Sequence, residues 1–254
     1  MQNLLTSFSL AGKNALVVGG EHPYGAELIA GLRAAGARVW TAGATPVDGV
    51  ESEGFFPYRH TDADEADALS AWAKGEMGSV DVLVENVLNM DTASGWSHDF
   101  DSINAQAQTT MGGMILTVQA VGRLMAAQGH GSVILSTDYG ALVGYDPHNY
   151  DGCPELYERD FSLLRGYVRG SCVNYARQAA GYLGEYGCRC NALAFAPMAG
   201  KQPKSFEDAF AAHSQIKRLA TAEDIAAAVT FLASDASAYV TGITLPVDGG
   251  YTAK

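Results

Sequence analysis

The chain has 254 residues, of which 48% are hydrophobic, and its formal net charge at pH 7 is −12. This length and apolar content suffice for one large domain with a buried core, and the excess of negative charge disfavours nucleic acid and anionic membrane surfaces as partners. The sequence shows neither a run of about 18 apolar residues nor a secretion signal, so we expect a cytoplasmic protein with small-molecule or protein partners.

Strand and helix patterns alternate along the chain. Short, largely apolar runs predict strands at residues 14–18, 37–41, 82–85, 132–136, 188–193 and 243–247. Helical spacing of apolar residues predicts helices at residues 25–35, 65–74, 101–127, 160–184 and 222–234. This alternation predicts an α/β fold, a doubly wound parallel sheet flanked by helices, as a single domain over residues 1–254.

Residues 141–159 show no clear periodicity and are too many for an ordinary connection. They include three tyrosines and a histidine, namely Tyr145, His148, Tyr150 and Tyr157. A long segment with aromatic side chains suits the closing wall of a small-molecule pocket, so we predict a lid-like insertion here.

The four cysteines, Cys153, Cys172, Cys188 and Cys190, are not accompanied by further ligands at metal-binding spacing. Cys188 and Cys190 lie two apart in a predicted strand and therefore share a face. The sequence thus predicts buried, reduced thiols and no metal site.

Three segments resemble the short-chain dehydrogenases/reductases. Residues 10–20, Leu-Ala-Gly-Lys-Asn-Ala-Leu-Val-Val-Gly-Gly, resemble the opening of that family, and residues 80–84 resemble its fourth strand. Residues 217–251, which end in Leu-Pro-Val-Asp-Gly-Gly-Tyr, resemble its carboxyl-terminal third. The resemblance implies a Rossmann-type fold, a homotetramer or homodimer, and a helix near residues 160–184 that carries catalytic residues and packs against another subunit.

The family's phosphate loop, Thr-Gly-x-x-x-Gly-x-Gly, corresponds here to Val-Gly-Gly-Glu-His-Pro-Tyr-Gly. Gly19 and Gly25 keep the tight turn and the close helix packing, but Pro23 replaces the middle glycine, adding a ring and removing an N–H donor. The charge of Glu21 would oppose a diphosphate if it pointed inward. His22 falls where NADP-dependent relatives often carry a basic residue, although a solvated loop histidine is an equal alternative.

The adenosine side also departs from the family. Gly43 stands where an acidic side chain would hold the ribose. Asp62 resembles the adenine-side aspartate, and of the family's Asn-Asn-Ala-Gly motif only Asn86 is kept, after Glu85. The predicted cofactor-binding residues are Gly19, His22, Gly25, Asp62 and Asn86. We expect no cofactor, or only weakly bound NAD(P)(H).

The family's Tyr-x-x-x-Lys pair falls on Arg165 and Arg169, counting back from Cys-Arg-Cys-Asn at residues 188–191. A guanidinium, with a pKa above about 12, exchanges no proton near neutrality, but two arginines one helical turn apart can hold an anion. The catalytic serine of the family aligns with either Thr137 or Asp138. Tyr167 lies about 200° around the helix from Arg165 and is expected outside the pocket.

The favoured interpretation is a small-molecule enzyme on this scaffold whose chemistry does not use hydride transfer, such as elimination, isomerisation, cyclisation or hydrolysis. Its substrate would be anionic or aromatic. Arg165 and Arg169 would stabilise negative charge and Thr137 would position the substrate. Proton transfer would fall to another group, with three candidates: Asp138, His148 and Tyr150.

Three alternatives stay open. The first is an NAD(P)(H)-dependent oxidoreductase with atypical catalytic residues, in which a lid tyrosine supplies the proton. The second is a non-catalytic partner subunit that pairs with an active relative through the helix at 160–184. In the third, Arg165, Arg169 and Asp138 form a structural ion-paired cluster that fills a dead site.

Overall fold

The computed structural model describes residues 4–60, 62–86, 96–160 and 162–253. Its centre is a seven-stranded sheet in the order β3-β2-β1-β4-β5-β6-β7. All neighbouring strands pair in parallel. The strands are β1 (Asn14–Val18), β2 (Arg38–Gly43), β3 (Phe55–Pro57), β4 (Val82–Glu85), β5 (Gly131–Asp138), β6 (Cys188–Phe195) and β7 (Thr244–Val247). The predicted doubly wound α/β fold is confirmed.

Helices connect the strands and cover both faces of the sheet. They are α1 (Gly25–Ala34), α2 (Ala63–Met77), α3 (Phe100–Gln106), α4 (Gly113–Gln128), α5 (Pro154–Asp160), α6 (Leu163–Gly184), α7 (Lys204–His213) and α8 (Ala222–Ala233). A π-helical turn over Ala107–Gly112 separates α3 from α4, so the single helix predicted at 101–127 has a break. Among the helices described, none is both long and apolar enough to cross a bilayer.

The side chains of β1 alternate between two core layers, one on each face of the sheet. Leu16 and Val18 pack with buried residues of α2, α4 and α6, whereas Val17 packs with Leu28 of α1 and Val229 of α8. Successive strand side chains point to opposite faces, so a strand that is apolar throughout must be covered on both sides. This is why the continuous apolar run at 14–18 predicts a central strand.

A third apolar cluster joins the predicted lid to the rest of the domain. Residues 141–159 contain the 3-10 helix Pro147–Tyr150 and most of α5. Tyr150 packs against Phe206 of α7 with ring centroids 5.0 Å apart, and Phe210 of α7 stacks on Tyr251 at 4.1 Å. The segment is therefore anchored to α7 by aromatic contacts, and its Asn149 side-chain amide donates to the Tyr251 hydroxyl at 2.8 Å.

The contact between α1 and α8 depends on a glycine. A Cβ built on Gly31 would lie 2.6 Å from the Cα of Ala226, so we expect Gly31→Ala to lower the free energy of unfolding by about 1–3 kcal/mol through overpacking. Gly75, in α2, has open space around its Cβ position. Gly75→Ala should raise the free energy of unfolding by up to about 1 kcal/mol, because alanine is the better helix former.

Urea denaturation of the two variants measures this difference. Shifts of the same sign and size in both would show that close packing at Gly31 does not limit stability.

Candidate active site

A cleft of about 510 Å³ opens at the carboxyl ends of β1, β5 and β6. One wall is the loop after β1 with the start of α1, and the opposite wall is formed by the segment after β5 and by α6. The base comes from the residues after β6 and from α7, including Pro197, Met198 and Phe206. Ligands of open α/β sheets bind at this edge, so the cleft is the candidate active site.

The loop after β1 is held in a tight turn. Gly19 adopts a positive φ of 74°, and a Cβ on Gly25 would overlap the carbonyl of Gly20. From the end of β4, the Asn86 side-chain amide donates to the carbonyl oxygens of Gly19 at 2.9 Å and Pro23 at 3.1 Å. The structure thus brings Gly19, Gly25 and Asn86 together, and Pro23 lines the cleft.

The amino end of α1 faces this cleft. Ala26 and Glu27, in its first turn, are among the lining residues. The first N–H groups of a helix have no acceptor within the helix, and the helix dipole makes that end attractive to anions. Together with the glycine turn, this end of α1 fits the diphosphate of a dinucleotide.

Glu21 reaches from the same loop to the end of β2. Its Oε1 accepts a hydrogen bond from the backbone N–H of Ala44 at 2.7 Å, and a Cβ built on Gly43 would collide with the carboxylate. Within the described residues, the buried Oε2 of Glu21 has no hydrogen-bond partner. The negative charge of Glu21 therefore lies at the end of β2, beside Gly43.

The other predicted cofactor residues have mixed placements. His22 lines the cleft, and burial lowers the pKa of its imidazole below the usual value. Asp62 caps α2, accepting a hydrogen bond from the N–H of Glu65 at 2.8 Å, and is not among the residues that line the cleft. A cofactor-binding role for Asp62 stays a prediction.

A buried contact between a histidine and a glutamate lies behind the loop. His60 Nε2 is 3.1 Å from Glu85 Oε1 at the end of β4. Burial raises the pKa of Glu85, and the neighbouring His60 opposes that rise. Glu85 is therefore held by His60 inside the domain rather than presented to the cleft.

Two arginines of α6 hold one carboxylate at the end of β5. Asp138 Oδ2 lies 3.3 Å from an Nη of Arg165 and 3.2 Å from Nε of Arg169. Asp138 Oδ1 accepts the N–H of Gly140 at 2.9 Å. Asp138 and Arg165 line the cleft, and the Arg165 side chain is 23% exposed while that of Arg169 is 5% exposed.

Thr137 is fully buried, and its hydroxyl donates to the carbonyl of Arg169 at 3.2 Å. Because adjacent strand residues face opposite sides, only one of Thr137 and Asp138 can reach the cleft from β5. The structure places Asp138 there. The proposed substrate-positioning role of Thr137 stays a prediction.

Tyrosines form much of the wall opposite α1. The Arg165 guanidinium carbon lies 5.3 Å from the ring centroid of Tyr145, and the buried Tyr145 hydroxyl has no partner among the residues that the structure describes. Burial raises the pKa of Tyr145, as does the charge of Asp138, whereas Arg165 lowers it. Tyr150 also lines the cleft and is 5% exposed.

Two remaining predictions concern residues away from the cleft. His148 is largely exposed, with Nδ1 3.4 Å from Asp151 Oδ2, and is absent from the residues lining the cleft. Tyr167 is 67% exposed on α6, which confirms that it faces away from the pocket.

Among residues whose placement is described, no group of three or more His, Cys, Asp or Glu side chains could hold a metal ion.

Several lining residues were not singled out from the sequence, notably Tyr24, Met198, Lys201 and Phe206. Tyr24 directly precedes α1 as its N-cap residue and has a positive φ of 69°, and its hydroxyl donates to the carbonyl of Ala196 at 3.0 Å. The available signal was Pro197, four residues after the strand predicted at 188–193, because residues that follow parallel strands meet at the binding edge.

Comparisons with known proteins bear on this site. Residues 28–252 match the family model described as Enoyl-(Acyl carrier protein) reductase. Over 257 residues, the chain is 32% identical to cis-4-hydroxycyclohexanecarboxylate dehydrogenase of Sinomonas cyclohexanicum, covering 98% of this chain and 91% of that protein.

Two solved structures share the fold. A short-chain dehydrogenase from Leptospira borgpetersenii with bound NAD+ has a TM-score of 0.85 and 20% identity, covering 99% of this chain and 96% of that one. A gluconate 5-dehydrogenase from Burkholderia cenocepacia in complex with NADP and tartrate has a TM-score of 0.83 and 22% identity, covering 99% of this chain and 100% of that one.

These findings correct two expectations from the sequence. The favoured chemistry without hydride transfer is wrong, because the similar proteins are dehydrogenases and reductases. The expectation of no or weakly bound NAD(P)(H) is also wrong, because the matching family is a reductase family and fold neighbours hold NAD+ or NADP.

The physical reasons lie in the cleft. Arginine is not the only functional side chain that the cleft offers, because phenols from other segments also line it. Pro23 lines the cleft without closing it.

Proposed function

The chain belongs to the short-chain dehydrogenase/reductase superfamily, and from that membership we propose that it is an NAD(P)(H)-dependent oxidoreductase. It interconverts a hydroxyl and a carbonyl group on a small substrate that carries a carboxylate. The observation that carries the proposal is the cleft, with the amino end of α1 on one wall and Arg165 and Tyr145 on the other.

The coenzyme belongs along the wall formed by the loop after β1. Gly19 and Gly25 give the backbone its close turn, and Asn86 holds the loop. The first turn of α1, which lines the cleft, would hold the diphosphate. When bound, NAD(P)(H) supplies or accepts the hydride. The protein's own residues then have two tasks, holding the substrate and moving one proton.

Arg165 holds the carboxylate of the substrate. Arg165 and Arg169 both contact the carboxylate of Asp138, so two guanidinium groups lie together at the end of β5. Arg169 is buried, whereas Arg165 borders the cleft, and an arginine is well suited to bind a carboxylate with two parallel hydrogen bonds. The relative that acts on a hydroxycyclohexanecarboxylate supports a substrate of this class.

Tyr145 moves the proton. The family's tyrosine and lysine positions carry Arg165 and Arg169, which exchange no proton near neutrality, so the active site is atypical. Tyr145 brings a phenol beside Arg165 from outside α6, and its buried hydroxyl lacks a partner within the described structure. An unsatisfied buried hydroxyl is uncommon, and a substrate oxygen in the cleft would give it an acceptor.

The raised pKa of Tyr145 sets a pH dependence. Burial favours the neutral phenol, so Tyr145 is protonated at neutral pH and can donate to a carbonyl oxygen. We expect kcat/KM for carbonyl reduction to stay flat across the neutral range. For alcohol oxidation, which needs the phenolate as base, kcat/KM should rise with pH. Initial rates in both directions at constant ionic strength measure the two pH profiles. The opposite trends would contradict Tyr145 as the proton donor.

The experiment that tests the proposal uses cis-4-hydroxycyclohexanecarboxylate with NAD+ and with NADP+, followed by the absorbance of the reduced nicotinamide. Cyclohexanol serves as the uncharged control. We expect kcat/KM for the hydroxy acid to exceed that for cyclohexanol by about 10- to 100-fold, from one charge-assisted interaction. A protein that binds neither NADH nor NADPH would contradict the proposal.

A further inference from the structure

We propose that Glu21 supplies, from the loop after β1, the carboxylate that recognises the adenosine ribose, and that it makes the enzyme select NAD(H) against NADP(H). This inference rests on the proposed function. It assigns the selectivity to a residue on a different segment from the end of β2, where dinucleotide-binding folds generally carry their acidic residue.

The first argument is position. At the end of β2, Gly43 has no side chain, and the Glu21 carboxylate occupies the volume that a side chain there would fill, with its Cδ 2.7 Å from the Cβ position of Gly43. The N–H of Ala44 fixes the carboxylate by donating to Oε1 at 2.7 Å. Glycine at 43 and glutamate at 21 are therefore complementary, since any larger residue at 43 would displace the carboxylate.

The second argument is the unused acceptor. In the described part of the chain, no donor reaches Glu21 Oε2, although this oxygen is buried. A buried carboxylate oxygen without a donor is unfavourable. Ribose hydroxyl groups are donors of the right kind, and Glu21 borders the cleft, so a ribose bound beside the end of β2 would supply the missing donor.

The third argument is charge. NADP(H) carries a phosphate on the adenosine ribose, which a carboxylate at this position repels. Residues 44–50, Ala-Thr-Pro-Val-Asp-Gly-Val, contain no Lys or Arg to bind that phosphate. His22, the neighbouring candidate, has its pKa lowered by burial and is therefore uncharged at neutral pH. The negative charge of Glu21 and the absence of Lys and Arg from residues 44–50 both favour NAD(H).

The test is an equilibrium titration of the full chain with NADH and with NADPH, followed by nicotinamide fluorescence. We expect the wild-type protein to bind NADH at least about tenfold more tightly than NADPH. Glu21→Gln, which keeps the shape and removes the charge, should weaken NADH binding by about tenfold and bring the ratio of the two Kd values near one. Far-ultraviolet circular dichroism confirms that each variant is folded.

Two further variants make the result specific. Glu27→Gln removes the same charge from the first turn of α1, at another part of the cleft, and should change both Kd values in parallel without changing their ratio. Glu21→Ala combined with Gly43→Asp returns the acidic residue to β2 and should restore the preference for NADH.

The outcomes separate the two proposals. Wild-type preference for NADPH, or an unchanged ratio of Kd values in Glu21→Gln, overturns the role of Glu21 and leaves the oxidoreductase proposal standing. Binding of neither coenzyme by the wild-type protein overturns both.

Discussion

We expect Tyr145→Phe to lower kcat for carbonyl reduction by about 100- to 10,000-fold, the usual contribution of a positioned general acid. The variant removes only the hydroxyl, which is buried beside the Arg165–Asp138 pair, and keeps the ring that packs against Tyr139 at 5.2 Å. Coenzyme affinity and KM should change little, because the hydroxyl contributes to the proton transfer and not to the binding walls. Steady-state kinetics with 4-oxocyclohexanecarboxylate measure the effect.

Tyr150→Phe is the matched control. Tyr150 lines the same cleft and also belongs to the segment after β5, and the sequence predicts it as a proton donor. If Tyr145 is the donor, Tyr150→Phe should keep kcat within about tenfold of the wild-type value, an amount that a lost neutral hydrogen bond explains. The reverse pattern, a large loss in Tyr150→Phe alone, would move the role to Tyr150.

Arg165→Gln should raise KM for the carboxylate substrate by about 10- to 100-fold, because hydrogen bonds to charged groups contribute about 1.5–3 kcal/mol. The same variant should leave KM for cyclohexanone nearly unchanged, since that ketone has no carboxylate to hold. Comparing the two substrates removes any effect of the variant on Tyr145 or Asp138, which both substrates share. Arg165→Lys, which keeps the charge but loses the forked geometry, should fall between wild type and Arg165→Gln.

An equal rise of KM for the charged and the neutral ketone would refute this assignment. It would mean that Arg165 supports the shape of the cleft through its ion pair with Asp138, as in the structural alternative derived from the sequence. In that case the arginines would be a buried network without a direct role in substrate binding.

The fold could be predicted where periodicity is strong. The strand at 14–18 has the predicted bounds, and the helix at 222–234 ends only one residue early, because both have continuous or regularly spaced apolar residues. β3 has only three residues, Phe55–Pro57, too few to show a period. The break at Ala107–Gly112 was not predicted. It is followed by Gly113, where an added Cβ would lie 2.5 Å from the Cβ of His60, a close approach between distant parts of the chain.

Less of the candidate site than of the fold could be predicted from the sequence. The alternative between Thr137 and Asp138 could not be decided from the sequence, since a register change of one residue moves a strand side chain to the other face of the sheet. The sequence shows that Glu21 puts a charge in the phosphate loop, but it does not predict the contact of Glu21 with Ala44. The phenol of Tyr145 lies in a segment without periodicity, so its position beside Arg165 depends on tertiary packing.

The most direct test of the central claim follows a labelled hydride. The enzyme is supplied with 4-oxocyclohexanecarboxylate and other small oxo acids together with NADH or NADPH deuterated at the transferable position of the nicotinamide, and the products are analysed by mass spectrometry. The account predicts a hydroxy acid that carries one deuterium for each coenzyme oxidised. Products without deuterium, formed while the coenzyme is bound and stays reduced, would contradict it.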